Sequence, residues 1–571
     1  MWYSSRRTTA ILVLAYLAAF APSRSSAFSF LSWFGGSDDS ASQKGNTADG
    51  DKPNVRARQP LLEATDWFLT EQEITDSRGG SPRTDMATYT TGNAVTSFTA
   101  SKEYFDSAYE ELSSAKEGDR VLLAAWAVTL VPIKPDIDPT GAKTRFDKVV
   151  AGVVERGGQV NILGWASIQH RTRMIDIRKT INDIPASPVN GAKAMMILDD
   201  RLPKALSSHH QKTLIIAANS SSGKDDQPVA YVGGLDFTTG RWDTMYHNES
   251  AARDAANVGN GYKGWDDSHL RIHGPAAKDV ATNFLARWNS DHLPCQGLSD
   301  DLLDYENPPY EHLPLLDYAS SKTSGSLGNQ SVQIVRTFSC DYKHYEFAPH
   351  GENSIFKAHL KAIKNAKNFI YIEDQYFILV PELLNALMKV LPSIQRLIVV
   401  TNPETKLFST GGYIKYSYEM VTPLLKAFPN KFNLYTTKTD RNIFVHSKLL
   451  IVDDVYLSVG SANWNRRSMT SDSEIAANVI DGDTVKSPDG ITVKKLARDF
   501  RIRKFQEMTG LSYDKLNAMT FVEAANQFEV GAAASNKVSI LQHLKVPYHF
   551  YYIAITDAIR KVADPQDTCS K

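Results

Sequence analysis

The stretch Phe444-Val-His-Ser-Lys-Leu-Leu-Ile-Val-Asp-Asp454 decides the fold class of this 571-residue chain. Side chains alternate faces along a strand, so His446 and Lys448 lie on the same side of it. An imidazole beside an ammonium group suits a phosphodiester, because the lysine can hold the non-bridging oxygens while the imidazole attacks phosphorus or delivers a proton. The stretch therefore indicates a strand that carries phosphodiester chemistry.

A second copy of the pattern lies in the first half of the chain, at His210-Gln211-Lys212. Each copy is followed by aliphatic residues and then by a turn of small residues, Gly233-Gly234-Leu235-Asp236 or Gly460-Ser461-Ala462-Asn463. One H-x-K triplet occurs by chance in many proteins, but two copies in the same setting indicate an internal duplication. The duplication predicts two similar domains that face each other, with both motifs in a single active site.

Strand-like apolar runs alternate with helix-like runs in both halves. Segments 120–126 and 159–165 read as strands, and the helical pattern of 354–367 runs directly into strand-like 368–373. This alternation predicts an α/β architecture with largely covered central sheets.

The N-terminus has the order of features typical of a secretory signal peptide. Two basic residues precede an apolar run from Ala10 to Ala21, and small residues follow up to Ala27. The apolar run is too short to span a bilayer comfortably. We predict a signal peptide over 1–27, a flexible linker rich in Gly, Ser and Asp over 28–60, and secretion. An uncleaved anchor and an organelle-targeting presequence are the alternatives.

The composition narrows the class of partner. The chain has 63 basic and 64 acidic residues and a formal net charge of -1, so no global positive field gathers nucleic acid, and we expect no nucleic-acid partner. Its three cysteines, Cys295, Cys340 and Cys569, exclude a disulfide-dense scaffold, allow one disulfide and show no metal-ligand pattern.

The second block resembles the H-x-K-x4-D signature and the G-S-x-N turn of the phospholipase D superfamily, with these residues in place: His446, Lys448, Asp453, Gly460, Ser461 and Asn463. Other segments are similar to the eukaryotic phosphatidylcholine-hydrolysing branch: His209–Thr213, Gly233–Thr244, Trp265–His269, Ile370–Phe377 and Asp472–Glu474. The resemblance implies two similar α/β/α sandwich domains related by a pseudo-two-fold axis, over 61–310 and 311–571. The two motifs would meet at their interface.

The resemblance also implies a two-step reaction that needs no metal or other cofactor. One histidine attacks phosphorus to form a phosphohistidine, and the other protonates the departing alcohol and then activates water or another alcohol. We assign His210 as the nucleophile and His446 as the general acid and base, although the order could be reversed. Carboxylates that accept the Nδ1 protons could separate the two pKa values. Glu474 is the candidate partner of His210, and Asp243 that of His446; either could instead be a surface carboxylate or a helix cap.

The remaining candidate site residues serve the phosphate and the substrate. Lys212 and Lys448 hold phosphate oxygens, Ser461 and Asn463 are further donors, and Asp453 supports its motif. The candidates for substrate binding are Gly234, Asp236, Gln375, Tyr376 and Gly460. Glycines let the backbone approach a ligand closely, and aromatic faces can hold a quaternary ammonium group. An aromatic core strand is the alternative interpretation of the cluster Tyr371, Tyr376 and Phe377.

The first motif departs from the family pattern. Five residues after Lys212 the chain has Ala217 in place of an aspartate, and the polar stretch 219–229 that follows reads as a surface loop. Asp225 or Asp226 could substitute for the missing carboxylate. We expect the change to weaken the first half without deleting the chemistry.

Together these features predict a secreted phospholipase D that acts on phosphatidylcholine or a similar glycerophospholipid at a phospholipid membrane surface. The residues between the linker and His210 already supply strands of the first domain, so we expect no calcium-binding module there and turnover without calcium. The alternatives are another superfamily phosphodiesterase, such as a nuclease or a phospholipid synthase, and a catalytically weakened secreted protein that binds lipid or a partner.

Overall fold

The computed structural model describes residues 56–167, 170–204, 207–217, 228–316, 327–403, 413–534, 539–546, 560–561 and 563–566. The predicted signal peptide and nearly all of the predicted linker lie outside these residues, as do Asp225 and Asp226. Within the described ranges, no helix is both long enough and apolar enough to cross a membrane.

Strands make up the centre of the molecule. In chain order they are Thr90–Phe98 (β1), Arg120–Ala125 (β2), Gln159–Trp165 (β3), Ala194–Asp199 (β4), Thr213–Ala217 (β5), Val229–Gly233 (β6), Gly264–Asp266 (β7), His269–His273 (β8), Gln330–Phe338 (β9), Glu352–Asn353 (β10), Phe369–Asp374 (β11), Arg396–Thr401 (β12), Phe432–Thr437 (β13), Ile443–Val445 (β14), Lys448–Val452 (β15), Tyr456–Gly460 (β16), Glu474–Ile480 (β17), Thr484–Lys486 (β18), Thr492–Lys494 (β19) and Leu541–His543 (β20).

Sixteen of these strands form one mixed sheet in the order β20-β13-β12-β11-β15-β16-β17-β9-β1-β8-β6-β5-β2-β3-β4, with β10 paired to β9. The triplets β2-β3-β4 and β11-β12-β13 are parallel, and β1 pairs with β9 in the antiparallel direction. Outward from the β1–β9 pair, the strand order of one half corresponds to that of the other. The predicted α/β class is confirmed, whereas the division into two domains stays a prediction because one continuous sheet passes through both halves.

Helices cover both faces of the sheet. They are Ala64–Trp67, Glu71–Ser77, Ser101–Ser114, Phe146–Glu155, Arg171–Asn182, Ser250–Ala255, Pro275–Trp288, Leu298–Leu302, Ser354–Asn365, Pro381–Val390, Tyr413–Ala427, Arg466–Thr470, Lys495–Thr509, Tyr513–Asn517 and Phe521–Ala533, with a 3-10 turn at Leu391–Ser393.

The central strands are buried on both faces, which explains their continuous apolar sequence. In β2, Leu122 and Ala124 point into the core that also contains Phe284 and Phe500. The alternate residues Val121, Leu123 and Ala125 point into the core on the other face, which the helices Ser101–Ser114 and Phe146–Glu155 cover. The sheet is therefore the middle layer, as the sequence predicted for an α/β fold.

Two short segments pair across the halves and bring the H-x-K motifs into place. Strand β14 runs parallel to β7, with Val445 opposite Asp266. In the other motif, His209 forms a parallel bridge with Ser473. The motif histidine is the next residue in each of the two segments, so it lies beside a segment of the opposite half.

Candidate active site

His210 lies just before β5 and contacts a carboxylate of the second half. Its Nδ1 is 3.0 and 3.1 Å from the two carboxylate oxygens of Glu474 and 3.0 Å from the carbonyl oxygen of Ser461. The Ser461 hydroxyl donates a hydrogen bond to the same carboxylate at 2.5 Å. The predicted contact between His210 and Glu474 is thus present. The carboxylate favours a proton on Nδ1, which leaves the Nε2 lone pair available for attack.

His446 has the corresponding arrangement, with a carboxylate of the first half. Its Nδ1 lies 2.7 Å from Oδ2 of Asp267. That carboxylate is oriented by the indole N–H of Trp265 at 3.3 Å and by the backbone N–H of Ser268 at 2.9 Å. The partner of His446 is therefore Asp267.

The prediction that Asp243 pairs with His446 is wrong. Oδ2 of Asp243 lies 2.6 Å from Nδ1 of His247 and accepts the backbone N–H of Trp265 at 2.7 Å. Asp243 thus holds the segment behind Trp265 and does not contact a motif histidine.

The sequence contains a pattern that could have identified Asp267 as the partner of His446, but the strand order is needed to interpret it. Glu474 begins β17, and Asp267 precedes β8, the strand with the corresponding position in the other half. Because β14 places Val445 opposite Asp266, the next residue pair in register is His446 and Asp267. Comparison of Asp-Asp-Ser before β8 with Asp-Ser-Glu at the start of β17 is the signal that could have found it.

The two motif lysines are buried and anchored in the same way. Nζ of Lys212 donates to the carbonyl of His210 at 2.8 Å and lies 3.4 Å from Oδ2 of Asp236. Nζ of Lys448 donates to the carbonyl of His446 and to Oε1 of Gln375, the latter at 3.4 Å. Each ammonium group is therefore held next to its own histidine.

The charges show that both motifs belong to one site. Burial, together with the charges of Lys212 and Lys448, holds the pKa of His210 well below its usual value. Burial and the charges of Lys448, Arg241 and Lys212 do the same to the pKa of His446. Each lysine therefore acts on both imidazoles and favours their neutral forms before substrate binds. An anionic phosphate offsets the lysine charges and so favours protonation of one imidazole.

The groups around the histidines titrate near neutral pH. Burial raises the pKa of Glu474 and that of Asp267 to about 7. Burial lowers the pKa of Lys448 to about 8. Perturbed pKa values that cluster around neutral pH are typical of catalytic sites.

The two small-residue turns pack against protein. A Cβ atom on Gly234 would lie 2.0 Å from Oδ1 of Asp267, and one on Gly460 would lie 2.4 Å from Cβ of Ala476. Gly234 therefore leaves room for the carboxylate partner of His446, and Gly460 leaves room for strand β17. The sequence predicted a close approach of these glycines to the ligand, whereas the structure explains both by packing.

The polar residues that end the two turns differ. Asp236 accepts the backbone N–H of Trp126 at 2.9 Å through Oδ1, and its Oδ2 faces Lys212. Asn463 is 5% exposed, and no described residue hydrogen-bonds its side-chain amide. Asn463 is thus available to a ligand, while Asp236 can only accept.

Asp453 supports its motif, as expected, and does not belong to the reacting groups. Its carboxylate accepts the backbone N–H groups of Lys367, Asn368 and Phe369 at 2.6, 2.7 and 2.8 Å. It ties the turn between β15 and β16 to the start of β11, which is a supporting role.

The first half meets the same need without an aspartate at Ala217. The start of β2 corresponds to the start of β11, and its N–H groups have other acceptors. The N–H of Gly118 donates to Gly157 at 3.0 Å, and that of Asp119 donates to Lys116 at 3.1 Å, in both cases to the carbonyl oxygen. These two bonds compensate for the missing aspartate, because they give the N–H groups other acceptors. They lie at the far end of the strands from His210.

Aromatic residues divide into core and site. Tyr371 and Phe377 are fully buried, so the alternative of an aromatic core holds for them. Tyr376 is partly exposed, and its hydroxyl accepts from Nε2 of Gln375 at 2.8 Å, which places both beside Lys448.

An aromatic cluster beside His210 was not predicted. The Trp126 ring lies edge-on to His210 at 6.3 Å, stacks on Trp165 at 5.8 Å and meets His170 at 5.5 Å. The available signal was that both tryptophans stand at the ends of strand-like runs, where parallel strands place binding residues.

Within the described residues, one group of side chains lies close enough together to hold a metal ion. The candidate ligand atoms of Asp200, Cys295 and Asp300 lie within 4.8 Å of one another. Burial raises the pKa of the free Cys295 thiol, and a protonated thiol is a poor metal ligand. Cys340 is in a disulfide.

The sequence matches two family descriptions, "Phospholipase D" over residues 180–383 and "Cardiolipin synthase, PLD-like domain" over residues 359–499. Phospholipase D A of Dictyostelium discoideum is 28% identical over 376 residues, which are 53% of this chain and 27% of that protein. Phospholipase D alpha 1 of Carica papaya is 26% identical over 422 residues, 56% of this chain and 50% of that protein.

Phospholipase D alpha 2 of Oryza sativa subsp. japonica is 25% identical over 533 residues, which are 72% of this chain and 64% of that protein. The chain thus spans less than two thirds of the length of these relatives. Among solved structures, the phosphatidylserine synthase of Haemophilus influenzae Rd KW20 superimposes with a TM-score of 0.44 at 13% identity, over 72% of this chain and 87% of that one.

Proposed function

Because the chain belongs to the phospholipase D superfamily, we propose that it hydrolyses phosphatidylcholine or a related glycerophospholipid to phosphatidic acid and a free alcohol. One observation carries the proposal. Each motif histidine binds a carboxylate of the opposite half, at 3.0 Å for His210 and 2.7 Å for His446, while the motif lysines act on both imidazoles.

The first step cleaves the bond between phosphorus and the headgroup oxygen. Nε2 of His210 attacks phosphorus and forms the phosphohistidine, while protonated His446 gives its proton to the departing alcohol oxygen. Lys212 and Lys448 hold the non-bridging oxygens and stabilise the charge that develops on them. The free alcohol then leaves.

The second step returns the protein to its starting state. Neutral His446 takes a proton from a water molecule, whose oxygen attacks phosphorus as the bond to Nε2 of His210 breaks. Phosphatidic acid is released. An alcohol in place of water yields a new phosphodiester, so transphosphatidylation belongs to the same mechanism.

The two carboxylates have corresponding roles. Glu474 orients His210 and supports the positive charge of the phosphohistidine, and Asp267 supports the imidazolium form of His446. We propose His210 as the nucleophile from the family resemblance. An exchange of roles between the two histidines would leave the other steps unchanged.

The substrate surface and the location are part of the proposal. We propose that the protein acts at a phospholipid membrane surface after secretion. The signal-like pattern over residues 1–27 supports secretion, and the near-neutral charge speaks against nucleic acid as substrate.

An assay on phosphatidylcholine vesicles with added ethanol tests the function. We expect the purified protein to release choline and to form phosphatidylethanol. His446→Asn should lower both rates by about 1,000-fold, since it removes the acid and base. His312→Asn, a change at an exposed histidine, is the matched control and should leave both rates unchanged.

Four results would count against the proposal. Absence of both products from the wild type would exclude this lipid as substrate. Full activity of His446→Asn would exclude the mechanism. Cleavage of DNA instead of lipid would favour a superfamily nuclease, and vesicle binding without turnover would favour the weakened binding protein.

A further inference from the structure

Arg241 is a buried cation that no described residue hydrogen-bonds, and the carboxylates of Asp236 and Asp267 act on it only through their charge. It is 8% exposed, and its guanidinium carbon lies 4.1 Å above the ring centroid of Trp265. Within the part of the chain that the structure describes, Arg241 makes neither a hydrogen bond nor an ion pair, and its Nε is fully buried without an acceptor. A buried arginine is ordinarily paired, because an uncompensated charge is costly to remove from water.

The other buried arginines that the structure describes are hydrogen-bonded, most of them to carboxylates: Arg201 and Arg287 bind Asp199, Arg336 binds Glu352, Arg501 binds Asp454, Arg253 binds backbone carbonyl groups and Arg498 binds Asn517. Arg241 is therefore an exception within its own structure. A buried guanidinium without a hydrogen-bonded partner can receive an anion.

The location of Arg241 is beside the catalytic histidine of the second motif. Arg241 stacks on the Trp265 ring. This ring also lies 4.9 Å from the His446 ring and donates its indole N–H to Asp267. The charge of Arg241 is among the causes that lower the pKa of His446 and that of Lys212. Arg241 is thus close to both motifs.

The asymmetry of the two halves indicates which anion is bound. In the second half, the amide of Asn463 can donate to a phosphate oxygen. The corresponding first-half residue is Asp236, whose carboxylate repels a phosphate and lies 3.4 Å from Nζ of Lys212, where it offsets part of that charge. The first half therefore lacks a donor that the second half has.

We propose that Arg241 binds a non-bridging oxygen of the substrate phosphate, the contribution from the first half that Asn463 makes from the second. This inference rests on the proposed function, since it adds a catalytic residue to the same phosphodiester site. The guanidinium has five N–H donors in a planar fork and keeps its charge at every working pH. It compensates for Asp236 and stabilises the charge on the phosphate oxygens in both steps.

Binding of inorganic phosphate to the full chain tests the inference by calorimetry, independently of turnover. We expect Arg241→Gln to weaken phosphate binding at least about 10-fold, since a charge-assisted contact is lost. Arg173→Gln is the matched control, because Arg173 is exposed on the helix Arg171–Asn182 and its charge acts on His170, which contacts Trp126. The control should bind phosphate as the wild type does.

A second variant separates binding from folding. Asp236→Asn keeps an oxygen for the Trp126 N–H and adds an amide donor to the first half. In the Arg241→Gln background it should restore phosphate affinity to within about 5-fold of the wild type, which a purely structural role of Arg241 does not predict. Arg241→Met retains the packing on Trp265 and replaces Arg241→Gln if thermal unfolding shows that the glutamine variant is not folded.

The outcomes are distinct for the two proposals. Unchanged phosphate affinity in Arg241→Gln or Arg241→Met, or no saturable binding by the wild type, would overturn the inference. Phosphate binding that depends on Arg241 in a protein that releases no choline would overturn the proposed lipid function and leave the inference standing. Loss of choline release by about 100-fold in Arg241→Gln, with phosphate binding also weakened, would support both.

Discussion

Asp267 and Asp243 are both fully buried carboxylates of the first half, yet only Asp267 touches a motif histidine. Asp243 is bound to His247, whose pKa is raised to about 10; burial opposes the rise, and Asp243 and Glu507 cause it. Residue type and burial therefore do not distinguish the two. The distinction is the direction in which each side chain points from its loop.

We predict that Asp267→Asn lowers kcat about 100-fold, because the amide cannot support the imidazolium form of His446. Asp243→Asn should instead lower the thermal unfolding midpoint and leave kcat per folded molecule within about threefold, since it acts through the segment behind Trp265. Steady-state kinetics and thermal unfolding of both variants measure this. A larger loss of kcat in Asp243→Asn than in Asp267→Asn would contradict the assignment.

The pKa of Lys448 predicts the pH above which activity falls. Its pKa is about 8, lowered by burial, so the ammonium form that attracts phosphate dominates below pH 8 and is lost as the pH rises. We expect kcat/KM, which reports on the free enzyme, to fall as the pH rises through about 8.

Lys448→Arg is the control for that pH profile, because a guanidinium stays charged throughout the range. The variant is expected to be slower, since the geometry of the group changes, but its kcat/KM should show no decline near pH 8. A decline at the same pH in both proteins would assign the titration to another group.

At the scale of elements, the helix Lys495–Thr509 supports the site from behind. Its Lys504 is fully buried and lies 2.5 Å from Asp266, 3.0 Å from Glu373 and 2.6 Å from Glu507. Asp266 is in β7, where its carbonyl accepts the backbone N–H of His446 at 2.7 Å, and Glu373 is in β11. One ammonium group thus joins a helix to strands of both halves.

We predict that Lys504→Met destabilises the fold by about 3–5 kcal/mol, because three acidic groups lose their buried counter-charge. The thermal unfolding midpoint should fall clearly. Lys495→Met, an exposed change on the same helix, is the matched control and should shift it little. Equal midpoints for the two variants would show that the buried ion pairs do not stabilise the fold.

At the scale of the whole molecule, the contacts between the two halves follow two constant offsets in residue number. Ser208 contacts Asp472, His209 contacts Ser473 and His210 contacts Glu474, each pair 264 positions apart. On the other side, His446 contacts Asp267 and Ser447 contacts Ser268, each pair 179 positions apart. Neither half alone therefore contains a histidine together with its carboxylate.

The sequence by itself determined the α/β class and predicted the superfamily and the candidate reacting groups. Strand runs such as 120–126 and 159–165 were recognisable because a strand buried on both faces has a continuous apolar sequence. His210, Lys212, His446 and Lys448 were recognisable because their spacing places imidazole and ammonium on one side of each segment. The contact between His210 and Glu474 was predicted from the family pattern.

Only the tertiary structure decided which carboxylate of the opposite half pairs with His446. The contact of His446 with Asp267 depends on the three-residue strands β7 and β14, which are too short to produce a recognisable pattern. That no described residue hydrogen-bonds Arg241 is likewise a result of packing, which no periodicity of the sequence records. Local periodicity encodes which residues face the core, whereas contacts between residues 179 or 264 positions apart are fixed by how the chain packs.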